Sequence, residues 1–194
     1  MNDGRCDRQG RFVVGGIDED GLKPISSVIR YDGAAVETLI EGVGCANAIC
    51  FAPGGDAMYF ADTPTRVIRR YAYRPGAQAL PEPEQFAALA DGEGYPDGAC
   101  VDAEGGVWSA RYAGGSVQRY TADGAPERLV RVDAPNATCC CFGGENLDRL
   151  YITTARENLN AEALAEAPAS GGIFAADVGV RGAPETRFAQ RLFP

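Results

Sequence analysis

The feature that most restricts the fold of this 194-residue chain is an internal repeat. Four segments share one layout: an Asn or Asp, a short apolar run, a glycine turn and a second apolar run. The openings are Asn2-Asp3-Gly4-Arg5-Cys6, Asn47-Ala48-Ile49-Cys50-Phe51, Asp97-Gly98-Ala99-Cys100-Val101 and Asn136-Ala137-Thr138-Cys139-Cys140. The returning runs are Phe12-Val13-Val14, Met58-Tyr59-Phe60-Ala61, Val107-Trp108-Ser109-Ala110 and Leu150-Tyr151-Ile152-Thr153, after turns at Gln9-Gly10, Gly54-Gly55-Asp56, Glu104-Gly105-Gly106 and Gly143-Gly144-Glu145. Apolar runs rich in β-branched and aromatic residues, bounded by Gly and Asp, read as hairpins.

A third run follows in each unit, at 27–31, 66–71, 116–120 and 172–176, and a weaker fourth at 35–40, 84–88, 127–132 and 185–189. The openings at 2, 47, 97 and 136 lie 45, 50 and 39 residues apart. Four strands per unit at that period predict β-propeller blades, bounded near 2–42, 43–93, 94–133 and 134–190. A sandwich gives no reason for one polar residue to recur at one place. Residues 157–167 have helix formers and no β-branched residue before Pro168, and predict a short helix inserted between strands two and three of the last unit.

Composition removes several chemistries. The chain has no histidine, which excludes Ser-His-Asp and Cys-His triads and HExxH zinc sites. Its single lysine, Lys23, sits in no Walker A or SxxK motif. A net charge of -9 argues against nucleic acid, and no apolar run approaches the roughly 18 residues of a membrane helix. Seven cysteines, an odd number with no CxxC pair, and no signal-peptide pattern point to reduced thiols in the cytoplasm.

Residues at one repeat position share one radius in a propeller, so Asn2, Asn47, Asp97 and Asn136 are expected near one end of the axis. Carboxylate and amide oxygens there suit a hard divalent cation; the alternative is that each side chain only bonds its own turn. The cysteines recurring three or four residues after the opening residue read as small buried hydrophobes, and Tyr59 and Trp108 as core.

The stretches Asn2-Asp3-Gly4, Tyr59-Phe60-Ala61-Asp62-Thr63-Pro64-Thr65, Pro96-Asp97-Gly98, Val101-Asp102-Ala103-Glu104-Gly105, Cys141-Phe142-Gly143-Gly144, Thr153-Thr154-Ala155-Arg156-Glu157 and Gly171-Gly172-Ile173-Phe174 together resemble the regucalcin/gluconolactonase (senescence marker protein) family. So does Val178-Gly179-Val180-Arg181-Gly182, and the likeness runs along the whole chain. The resemblance implies an all-β, six-bladed propeller of the lactonase type with about four blades in this chain. It implies one divalent metal cation (calcium, zinc, manganese or magnesium) and hydrolysis of a sugar lactone to the aldonic acid.

Residue by residue, the resemblance implies that Asn47 and Asp97 are metal ligands, Asp97 also serving as general base. It places Asn2 on the substrate, with Glu19 or Asp20 as a further substrate contact. Ala48 stands where the family has glycine. The family's early Glu ligand, and the Arg two residues before Asn2, have no counterpart here. The expectation is a member shortened at its N-terminal side, impaired as a lactonase and open to self-association through exposed blade edges. The alternative is a non-catalytic propeller fragment that binds a metal or a partner.

Overall fold

The structure, a computed structural model, describes residues 1–74 and 79–189. Its described residues form two compact units, one of residues 1–88 with the segment from Pro184, the other of residues 89–183. The first unit holds two meander sheets. One is β1 (Gly4–Cys6), β2 (Phe12–Gly15), β3 (Ser26–Tyr31) and β4 (Val36–Val43); the other is β5 (Ala46–Phe51), β6 (Ala57–Asp62), β7 (Val67–Ala72) and β8 (Glu84–Ala88). The second unit holds β9 (Tyr95–Val101), β10 (Val107–Tyr112), β11 (Ser116–Tyr120) and β12 (Pro126–Arg131) in one sheet, and β13 (Ala137–Gly143), β14 (Arg149–Thr154) and β15 (Ile173–Asp177) in another.

Within each sheet, every strand pairs antiparallel with the next in sequence, so each is an up-and-down meander. In the second and third sheets the inner strands are largely buried and the outer strands largely exposed. All six residues of β5 are buried, whereas the outer strand β12 has a single residue that is not exposed. The sequence carries this gradient, with Ala-Asn-Ala-Ile-Cys-Phe at the inner position and Pro-Glu-Arg-Leu-Val-Arg at the outer one. These sheets are blades of a β-propeller, about four of which lie in this chain. The first unit packs Val13, Val28, Ile49, Phe51, Met58 and Tyr73 into one core. The second packs Trp108, Val117, Cys140, Leu150 and Ile152. Tyr59 and Trp108 are buried at 2% and 0% exposure, in line with the sequence reading.

Two expectations change at the C-terminal end. The helix is shorter, α1 (Ala161–Glu166), between β14 and β15 as predicted; Asn160 caps it by accepting a hydrogen bond from Ala163 N at 2.9 Å. Residues 185–189 form no fourth strand. They lie in the first unit, where Arg5 pairs with Glu185, Ala189 N donates to Gly10 O at 2.8 Å and Phe188 stacks on Tyr31 at 5.8 Å between ring centroids.

Candidate functional site

The hydrogen-bond register decides which residues are equivalent. Counting back from each hairpin turn, Val101↔Val107 in the third sheet matches Phe51↔Met58 and Phe142↔Leu150. Each of these three inner strands then carries a bulge, which adds one residue opposite its partner strand. Asn47 and Asp97 fall at the bulge in their sheets, and Thr138 falls there in the last. In the first sheet Asn2 N donates to Gly15 O at 2.8 Å, which places Asn2 at the same position. The expected equivalence therefore holds for Asn2, Asn47 and Asp97 and is corrected for Asn136, two residues early. Asn136 instead donates from Nδ2 to Glu157 O at 2.8 Å.

The same register revises the cysteine repeat. Cys50 and Cys100 are equivalent and buried, at 1% and 2% exposure, but the matching residue of the last sheet is the exposed Cys141 and that of the first is Arg5.

In the first unit Asn2 and Asn47 are brought together around one cysteine. Asn47, 5% exposed, donates from Nδ2 to Thr63 Oγ1 at 2.8 Å and to Cys45 Sγ at 3.7 Å. Asn2 donates from Nδ2 to Ala46 O at 2.9 Å and to Cys45 Sγ at 3.4 Å. With both amide nitrogens engaged as donors, the Oδ1 atoms are the ends available to a ligand. Asp3 also reaches the Asn47 loop, its Oδ2 accepting from Ile49 N at 2.7 Å. Burial pushes the Asp3 carboxyl above the usual aspartate range, against the lowering effect of that bond.

Glu19 and Asp20 are exposed on the turn that follows Asp18, whose carboxylate accepts from Asp20 N and Lys23 N. In the second unit Asp97 is half-buried on β9, its Oδ1 accepting from Gly98 N at 2.9 Å.

Sequence reasoning missed the residues that hold the Asn47 loop. Asp62 Oδ1 accepts from Gly44 N at 3.1 Å and Cys45 N at 2.8 Å, and Thr63 N donates to Cys45 O at 2.9 Å. The signal was present in Asp62-Thr63-Pro64-Thr65, a turn-forming run directly after a strand, with Pro at the start of a 3-10 turn. Ala48, at the glycine position, adopts φ 54° and is fully buried, so the left-handed turn persists without glycine.

Gly98 is needed for a different reason. A Cβ there would lie 2.5 Å from Cys139 Sγ and 3.0 Å from Thr138 O. Gly98→Ala is therefore expected to cost about 1–3 kcal/mol through overpacking between β9 and β13. Thermal melting checks this, and an unchanged Tm contradicts the close approach.

The fold and these positions define a β-propeller with Asn and Asp side chains placed at one register position of its inner strands. Residues 1–156 match the SMP-30/Gluconolactonase/LRE-like region, and the chain belongs to that family. It is 39% identical to L-arabinolactonase of Azospirillum brasilense over 97% of its own length and 63% of that protein's. Identity to 6-deoxy-6-sulfogluconolactonase of Pseudomonas putida is 37%, over 97% of this chain and 65% of that protein. The solved structure of a calcium-binding protein, regucalcin, from Agrobacterium tumefaciens superposes with a TM-score of 0.91 at 30% identity, over 96% of this chain and 64% of that one. The chain thus spans just under two thirds of the length of these relatives.

Proposed function

We propose that this chain carries part of a metal-dependent sugar-lactonase site, with Asn47 and Asp97 as cation ligands and Asn2 on the substrate. The observation that supports it best is the common register position of Asn2, Asn47 and Asp97, combined with an Asn47 amide whose nitrogen is already engaged by Thr63 and Cys45. Among the described residues no group of three or more Asp, Glu or Cys is arranged to hold a metal, so a cation here would rest on one carboxylate and amide oxygens. That donor set fits a hard divalent ion such as calcium, magnesium or manganese, with zinc a borderline case.

When bound, the cation supplies Lewis-acid polarisation of the lactone carbonyl and a more acidic water. Asp97 takes the proton of the attacking water as general base. Asn2 orients the sugar hydroxyls, with Glu19 or Asp20 as a further polar contact on the exposed turn. The product is the ring-opened aldonic acid.

In the same proposal the activity is impaired, because the family's early Glu ligand and its substrate Arg have no counterpart among these 194 residues. Fewer anionic ligands mean weaker cation binding. Hydrolysis of gluconolactone and arabinolactone, followed with EDTA and then with added calcium, manganese or zinc, tests this. The expected result is cation-dependent hydrolysis at least about 10²-fold below a full-length relative, the scale of one lost charge-stabilising group. Activity equal to the relative's overturns the impairment. Failure to bind any cation overturns the metal reading and favours the non-catalytic fragment.

Seven cysteines, four of them buried and none in a disulfide among the described residues, accord with a reducing compartment, which we take to be the cytoplasm. Among the described residues no helix is long and apolar enough to cross a membrane. The outer strand β15, with Ile173 72% exposed, is the edge through which self-association is proposed.

A further inference from the structure

We infer that Cys45 is a positioning residue of this site, its sulfur holding the amide groups of Asn2 and Asn47 so that both present oxygen to the ligand. The inference rests on the reading of Asn2 and Asn47 given above. Cys45 lies outside the thiol repeat: the hairpin register puts it two residues before Asn47, where the other two bulged sheets have Tyr95 and Asn136.

Its backbone is fixed at both ends. Cys45 N donates to Asp62 Oδ1 at 2.8 Å, and Cys45 O accepts from Thr63 N at 2.9 Å. The residue is 6% exposed, so the sulfur sits at a set point in a packed wall. From that point it accepts from Asn2 Nδ2 at 3.4 Å and Asn47 Nδ2 at 3.7 Å, two side chains 45 positions apart in sequence.

An asparagine amide can turn over and exchange its oxygen for its nitrogen, and only its hydrogen-bond partners decide which end faces a ligand. Thr63 Oγ1 and Ala46 O accept one bond each, and Cys45 Sγ accepts from both amides. A sulfur that accepts from both nitrogens favours the orientation in which each amide turns its nitrogen, rather than its oxygen, toward Cys45. Cys45 therefore orders the ligating groups without ligating, as outer-shell partners of metal ligands do.

The test uses the full chain labelled with 15N, as wild type and as Cys45→Ala, Cys45→Val and Cys45→Ser. Alanine and valine remove the acceptor, and valine also fills the space. Serine restores an acceptor in a smaller side chain. In the alanine and valine variants the side-chain NH2 resonances of Asn2 and Asn47 are expected to shift and to exchange faster with solvent, and calcium affinity by calorimetry to fall by about tenfold. Serine is expected to retain most of both properties.

Unchanged Asn2 and Asn47 amide resonances in folded Cys45→Ala or Cys45→Val overturn the inference. So does a thiolate-to-metal absorption band on cadmium binding that Cys45→Ala abolishes, since the sulfur would then be a ligand. If wild type binds no calcium, the metal reading of the site fails, while the amide resonances still decide whether Cys45 orders the two asparagines.

Discussion

Replacing Asp102 by alanine is expected to destabilise the protein by about 3–5 kcal/mol, the range for a buried ion pair that loses one partner. Asp102 is fully buried, and each of its oxygens accepts two hydrogen bonds. Oδ1 takes Glu104 N at 3.0 Å and Gly106 N at 2.8 Å, which closes the hairpin turn between β9 and β10. Oδ2 takes Trp108 Nε1 at 2.8 Å and Arg119 Nε at 2.7 Å. Burial alone would lower the Arg119 pKa, but its bonds to Asp102 and Glu127 outweigh that and hold it above the ordinary arginine range. Alanine leaves this guanidinium buried with its main partner gone and frees the largest side chain of the second core. A fall in Tm of about 10 °C is expected in thermal melts followed by Trp108 fluorescence. A change of only 1–2 °C would mean that the four bonds contribute little.

Asp7 has the same role in the first sheet, which shows how regular the device is. Its Oδ1 accepts from Gln9 N and Arg11 N, both at 2.9 Å, and its Oδ2 from Arg11 Nε at 2.6 Å and Tyr73 OH at 2.8 Å. Gln9-Gly10 and Glu104-Gly105-Gly106 beside apolar runs make the hairpins legible from turn chemistry and hydrophobic pattern, but not the aspartate that clamps each turn. Residue identity is a poorer guide to equivalence than register. The strands align by counting back from the turn, and Asn136 lies six residues before Phe142 whereas Asp97 lies four before Val101, so the first asparagine of the last unit falls outside the shared position. Residues 185–189 failed as a strand because their partners, Arg5, Gly10 and Tyr31, lie far away in sequence. No local pattern reports such contacts. The candidate ligands were legible because Pro-Asp-Gly and Asn-Ala carry a recognisable motif. Cys45 and Thr63 were not, since their role depends on side-chain bonds across the site.

Asp97 lies five residues before Asp102, with the opposite expectation. It is half-buried at the bulge of β9, whereas Asp102 is fully buried, and its Oδ1 accepts from the neighbouring Gly98 N at 2.9 Å. Asp97→Asn keeps the shape and an oxygen while removing the charge and the basicity. Stability should therefore change by less than about 1 kcal/mol, as for substitutions away from buried networks. Lactone hydrolysis, measured at high protein concentration with saturating calcium or manganese, should fall by about 10²–10⁴-fold, the contribution of a positioned general base. Calcium affinity should fall as well, because carboxylate charge tunes binding of this hard cation. Reading melting temperature, calorimetric affinity and hydrolysis on one preparation separates a functional loss from a structural one. A variant that melts early and loses activity in proportion would make Asp97 a fold residue like Asp102. A variant that melts like wild type and hydrolyses lactone at the wild-type rate would remove Asp97 from the chemistry altogether.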